Sequence, residues 1–110
     1  MNNKLNQVIF LLKKHKLTIS SVESFTAGKF GSILTSIPGS SEYFISSIIA
    51  YSIQAKIDLL KINKSIILEK KTISPEISKL MLDGLEKSIY SNIYISFTGN
   101  GGPNIIEENK

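Results

Sequence analysis

Six consecutive residues, Glu23-Ser24-Phe25-Thr26-Ala27-Gly28, place a carboxylate, two hydroxyls and small side chains at the junction of an apolar strand and an amphipathic helix. Small residues at such a junction expose the N–H groups of a helix's first turn. These carry partial positive charge and favour anions such as phosphate. Ser24 and Thr26 have a plainer use as caps of the following helix, the commonest role of hydroxyls at such positions. Two more polar segments, residues 51–56 and 98–103, follow other apolar runs and add a phenol, an amine and a glycine-rich backbone.

What is missing narrows the chemistry. The chain has no cysteine, which removes disulfides, a thiol nucleophile and thiolate metal sites. Its one histidine, His15, lies within Lys13-Lys14-His15-Lys16 and reads as a solvated helix end. A histidine-based triad or a zinc site therefore has no material, and no metal or cofactor is expected. The net charge of +4 comes from scattered lysines with no arginine. Arginine is the preferred residue for bidentate phosphate and base contacts, so nucleic acid is not an expected partner.

The elements that would position these groups follow from periodicity. With 110 residues and 42% hydrophobic content, the chain suits a single domain over residues 1–110. No apolar run is long enough for a membrane span, and the N-terminus does not read as a signal peptide, so a cytoplasmic protein is expected. Leu5, Val8, Ile9 and Leu12 define an N-terminal helix within residues 1–16. Residues 17–22 form a short β-branched strand; Phe30, Ile33, Leu34 and Ile37 a helix closed by Pro38-Gly39; residues 44–51 a buried strand. Ser52 caps a short helix, residues 61–73 form an irregular lysine-rich connection, and Ser74-Pro75 starts another helix. Residues 93–97 are the last strand, and 104–110 a frayed tail. This alternation predicts an α/β class fold, a layered α/β/α sandwich with a mostly parallel sheet. Ligands of such sheets bind beyond the carboxyl ends of the strands, where the three polar segments lie.

Taken in order and spacing, these residues resemble the CinA C-terminal domain family, whose characterised members are nicotinamide-nucleotide amidohydrolases. The resemblance rests on Glu23-Ser24-Phe25-Thr26-Ala27-Gly28, where the family shows Glu-Ser-x-Thr-Gly-Gly. It continues through Ile37-Pro38-Gly39-Ser40-Ser41, Ala50-Tyr51-Ser52 with Lys56 and Leu60, Ser74-Pro75-Glu76, and Thr98-Gly99 with Gly102-Pro103. It implies metal-independent hydrolysis of the carboxamide of nicotinamide mononucleotide, a phosphorylated small molecule, to nicotinic acid mononucleotide and ammonia. That is a step of pyridine-nucleotide salvage.

Amide hydrolysis needs an activated nucleophile, a proton route to the leaving amine and oxyanion stabilisation. Without cysteine or a usable histidine, a serine assisted by lysine or tyrosine remains. By the resemblance, Lys56 and Tyr51 handle protons, and Ser24 and Ser41 are the candidate hydroxyls, with Ser41 preferred as nucleophile. Glu23, Thr26, Ala27, Gly28, Thr98, Gly99 and Gly102 would bind substrate, through backbone N–H groups in part. The alternatives are a catalytically impaired nucleotide-binding or interaction protein of the same fold, and a competence- or DNA-damage-associated protein.

Several positions depart from the family pattern. Ala27 replaces a glycine, Ile53 an asparagine, and Ser46-Ser47 glycines, while the glycine-rich loop changes after Pro103 to Asn104-Ile105. The family domain continues past this loop, so a form truncated at the C-terminus is expected. Such a form would either recover its cover through a partner subunit, as a homo-oligomer and in the simplest case a dimer, or be a weakened remnant.

Overall fold

The computed structural model describes residues 3–70 and 74–98. The order is α1 (Asn3–Lys14), β1 (Ile19–Glu23), α2 (Lys29–Thr35), a 3₁₀ turn (Ser40–Glu42), β2 (Phe44–Ile49), α3 (Ile53–Leu60), α4 (Lys64–Lys70), α5 (Pro75–Ser88) and β3 (Ile93–Phe97). The three strands form one parallel sheet in the order β2-β1-β3. An α/β fold with a parallel sheet is thus the architecture. The glycine-rich loop at 99–102 and the tail at 104–110 lie outside the described residues.

β1 is central, and every one of its residues is buried. Successive side chains of a strand face opposite sides, so each strand feeds two cores. On one side Ile19 packs with Ile9 and Leu12 of α1, Leu34 of α2, and Tyr43. On the other, Val22 packs with Ala50, Leu60, Ile67, Ile77, Met81 and Leu85 from the α3–α5 side. The carboxyl end of β1 therefore puts Glu23 toward α2 and Ser24 toward α3.

Local signals explain the helix starts. Ser52 accepts the N–H of Ala55 at 3.0 Å to open α3, and Ser74 accepts that of Ile77 at 3.1 Å to open α5, with Pro75 in the first turn. The irregular connection expected over 61–73 is wrong at residues 64–70, which are helical. Asn63 turns the chain there by accepting the N–H of Ser65 at 2.8 Å, and Ile67 is fully buried against the core. A high lysine content concealed this short amphipathic face. Val8, expected on the buried face of α1, is 47% exposed.

Close approach of helices fixes α3 in place. A Cβ on Gly84 of α5 would lie 2.6 Å from the carbonyl oxygen of Leu60, so only glycine lets α5 meet the end of α3.

Candidate active site at the carboxyl end of the sheet

The carboxyl end of β1 lies between the ends of its two neighbours. The carbonyl of Glu23 accepts from the N–H of Ala50 at 2.8 Å, and the N–H of Ser24 donates to the carbonyl of Phe97 at 2.9 Å. Ser24, Ala50 and Phe97 are thereby locked side by side. Thr98, next along from Phe97, comes to this same edge.

Lys56 reaches the edge from α3. It is only 2% exposed. Its Nζ donates to the Ser24 Oγ at 3.2 Å, the Ala50 carbonyl at 2.8 Å and the Tyr51 carbonyl at 3.3 Å. These three oxygens use all three ammonium hydrogens, yet none is an anion. Burial therefore pushes the amine below its ordinary pKa of 10.5. A buried lysine with a lowered pKa, hydrogen-bonded to a serine hydroxyl, is an arrangement that can serve as base and nucleophile.

Glu23 does different work on the opposite face. Its Oε1 accepts from Thr26 Oγ1 at 2.7 Å and Phe30 N–H at 3.1 Å. Its Oε2 accepts from Gly31 N–H and Ser21 Oγ, each at 3.1 Å. Burial acts to raise its pKa, but these four donors prevail and hold the carboxyl below its ordinary value of 4.5. Phe30 and Gly31 stand in the first turn of α2, so the carboxylate already takes the N–H groups expected to cradle an anion. Gly28, the residue before that helix, offers no side-chain cap. Neither Ser24 nor Thr26 caps α2; Glu23 does so from the strand.

The remaining predicted residues divide into two groups. Tyr51 lies at the edge but is 66% exposed, and its hydroxyl has no hydrogen bond among the described residues. Ala27 and Gly28 form the turn in left-handed conformations, with φ of 52° and 94°. Ser41, the hydroxyl preferred from the sequence, sits in the exposed 3₁₀ turn before β2. β2 runs parallel to β1, so Ser41 is at the opposite end of the sheet from Ser24. Within one chain it is not brought to Lys56. Gly99 and Gly102 lie outside the described residues.

Sequence reasoning passed over Ser21 and Ser47, whose hydroxyls hydrogen-bond each other while Ser21 supports Glu23. Serines in a fully buried central strand were the available signal, since buried hydroxyls need partners.

The sequence profile of the CinA C-terminal domain matches residues 2–110. The chain belongs to the CinA C-terminal domain family. It is 42% identical over 94 residues to a CinA-like protein of Flavobacterium psychrophilum, covering 86% of this chain and 22% of that protein. A CinA-like protein of Trichodesmium erythraeum is 43% identical over 93 residues, 84% of this chain and 22% of the relative. The chain thus spans about a fifth of the length of these curated relatives. Among solved structures, the competence/damage inducible protein CihA from Agrobacterium tumefaciens superposes with a TM-score of 0.85 at 26% identity, over 91% of this chain and 61% of that one. A CinA superfamily protein from Escherichia coli gives 0.85 at 23% identity over 92% and 59%, a likeness of fold. No helix among the described residues is long and apolar enough to cross a membrane.

Proposed function

We propose that this CinA-family chain hydrolyses a carboxamide, with nicotinamide mononucleotide as substrate and nicotinic acid mononucleotide and ammonia as products. The single observation that carries the reading is the buried Lys56 amine on the Ser24 hydroxyl. In its neutral form Lys56 accepts the Ser24 proton as Ser24 Oγ attacks the carboxamide carbon. The resulting ammonium gives that proton to the departing nitrogen as the C–N bond breaks, so ammonia leaves and the acyl group remains as an ester on Ser24 Oγ. Water, deprotonated by the same amine, then attacks the ester and restores the serine.

An oxyanion needs donors aimed at the developing charge. The N–H of Phe25, next to Ser24, makes no hydrogen bond among the described residues and supplies one such donor. Tyr51, with its free hydroxyl at the rim, is a further proton carrier. Thr98, at the same edge, supplies part of the substrate-binding wall. Together these support an enzyme of the amide C–N hydrolase type.

The test is ammonia release from nicotinamide mononucleotide, with calorimetric binding measured in parallel. Turnover supports the reading. Binding without turnover at high protein concentration favours a nucleotide-binding protein of the same fold instead.

A further inference from the structure

Glu23 was expected to touch substrate, but its surroundings leave it no means to do so. It is fully buried, and both carboxylate oxygens are filled by donors from its own chain. Those donors come from β1 (Ser21), the turn (Thr26) and the first turn of α2 (Phe30 and Gly31). The carboxylate therefore ties three consecutive segments to one point.

Ser24 is the next residue, and its position depends on the same turn. Its carbonyl accepts the N–H of Ala27 at 3.1 Å while Ala27 is held at a φ of 52°. A residue other than glycine resists this left-handed conformation, so surrounding structure must impose it. Thr26 on Glu23 fixes one side of Ala27. Phe30, whose ring lies 4.8 Å from that of Phe97, fixes α2 against the end of β3. The packing around Gly31 is also tight: a Cβ there would lie 2.5 Å from the hydroxyl of Ser47, itself bonded to Ser21. Nothing in this arrangement has slack to accept a substrate group at Glu23.

We propose that Glu23 is a positioning residue, an internal anion that closes the first turn of α2 to substrate phosphate and holds the 24–28 turn so that Ser24 Oγ stays on Lys56 Nζ. The idea rests on the amidohydrolase reading for its kinetic consequence but not for its structural one. A substrate phosphate is accordingly bound away from the N–H groups of Phe30 and Gly31.

Two variants and two readouts test it. In Glu23→Ala, kcat should fall about 100-fold, the scale on which a misplaced reacting group slows chemistry, with KM kept within about twofold. Glu23→Gln keeps the shape but presents an amide donor toward N–H donors, so it should retain an intermediate kcat. Assays are run below the melting temperature of each variant. A raised KM with unchanged kcat would show a substrate ligand and overturn the proposal; unchanged kcat and KM with only a lower Tm would reduce Glu23 to a structural residue and also overturn it. The second readout needs no turnover: the ¹³Cε resonance of Lys56, measured without substrate, should move in Glu23→Ala. If wild-type protein releases no ammonia, the amidohydrolase reading fails while this resonance still decides the positioning role, and an unmoved resonance rejects it.

Discussion

Lys56 Nζ stands 3.2 Å from Ser24 Oγ, with no carboxylate among its hydrogen-bond partners in the described residues. The amine is held by a hydroxyl and two backbone carbonyls, so its burial is offset by dipoles alone. Lys56→Met keeps much of the volume and deletes the base, and turnover should fall about 10²- to 10⁴-fold, the range for general acid–base groups. Steady-state ammonia release measures this, and a rate within a few fold of wild type would remove Lys56 from the mechanism.

The rate should also report the state of the amine. Burial lowers the Lys56 pKa from 10.5, and in the proposed mechanism only the neutral amine takes the Ser24 proton. Turnover should therefore rise with pH and level off once pH exceeds the lowered pKa, below 10.5. Lys56→Met should lose this rising limb. A stopped-flow or steady-state pH profile checks it.

Stability follows the same linkage. Below the folded-state pKa, Lys56 is protonated in both states and the fold carries the full desolvation penalty. Between that pKa and 10.5 the folded protein binds fewer protons than the unfolded one, so stability rises with pH. Wild type should thus gain Tm relative to Lys56→Met as pH climbs through this window. A difference in Tm that stays flat with pH would contradict the buried-amine description.

The pKa of Glu23 is lowered too, but because hydrogen bonds favour its charged form. Its folded-state pKa lies below 4.5 because its four donors outweigh burial. Its contribution is present above 4.5 and is lost as pH falls through the lowered value. Acid titration of wild type against Glu23→Gln, followed by circular dichroism, should show the wild-type advantage vanish only below pH 4.5.

Ala27 carries strain that glycine would relieve. At a φ of 52° and an exposed position, it has little packing to lose. Ala27→Gly should stabilise by about 1 kcal/mol, the left-handed penalty less part of the added unfolded-state entropy. Gly28→Ala should do the reverse, because its φ is 94° and a Cβ would lie 2.8 Å from Ile49 Cδ1. Denaturant midpoints at constant slope measure both.

Much of this was legible in the sequence where one local rule governs. Ser52 and Ser74-Pro75 start helices, and the strands alternate with them, because capping and periodicity are short-range. The pairing of Ser24 with Lys56 joins residues 32 apart and depends on where α3 docks, which Gly84 of α5 decides by its close approach to Leu60 at the end of α3. Sequence alone left Ser24 and Ser41 as alternatives; the parallel register of β1 and β2 places them at opposite ends of the sheet. The anion cradle read from 23–28 was legible as a shape, but not that Glu23 itself fills it.

In the proposed reaction, Ser24, activated by Lys56, cleaves a carboxamide. The direct measurement is ammonia release from nicotinamide mononucleotide by wild type, Ser24→Ala and Ser41→Ala under identical conditions. Wild type and Ser41→Ala should release ammonia, and Ser24→Ala none above background. Undiminished release by Ser24→Ala, or none by wild type, would contradict that reaction.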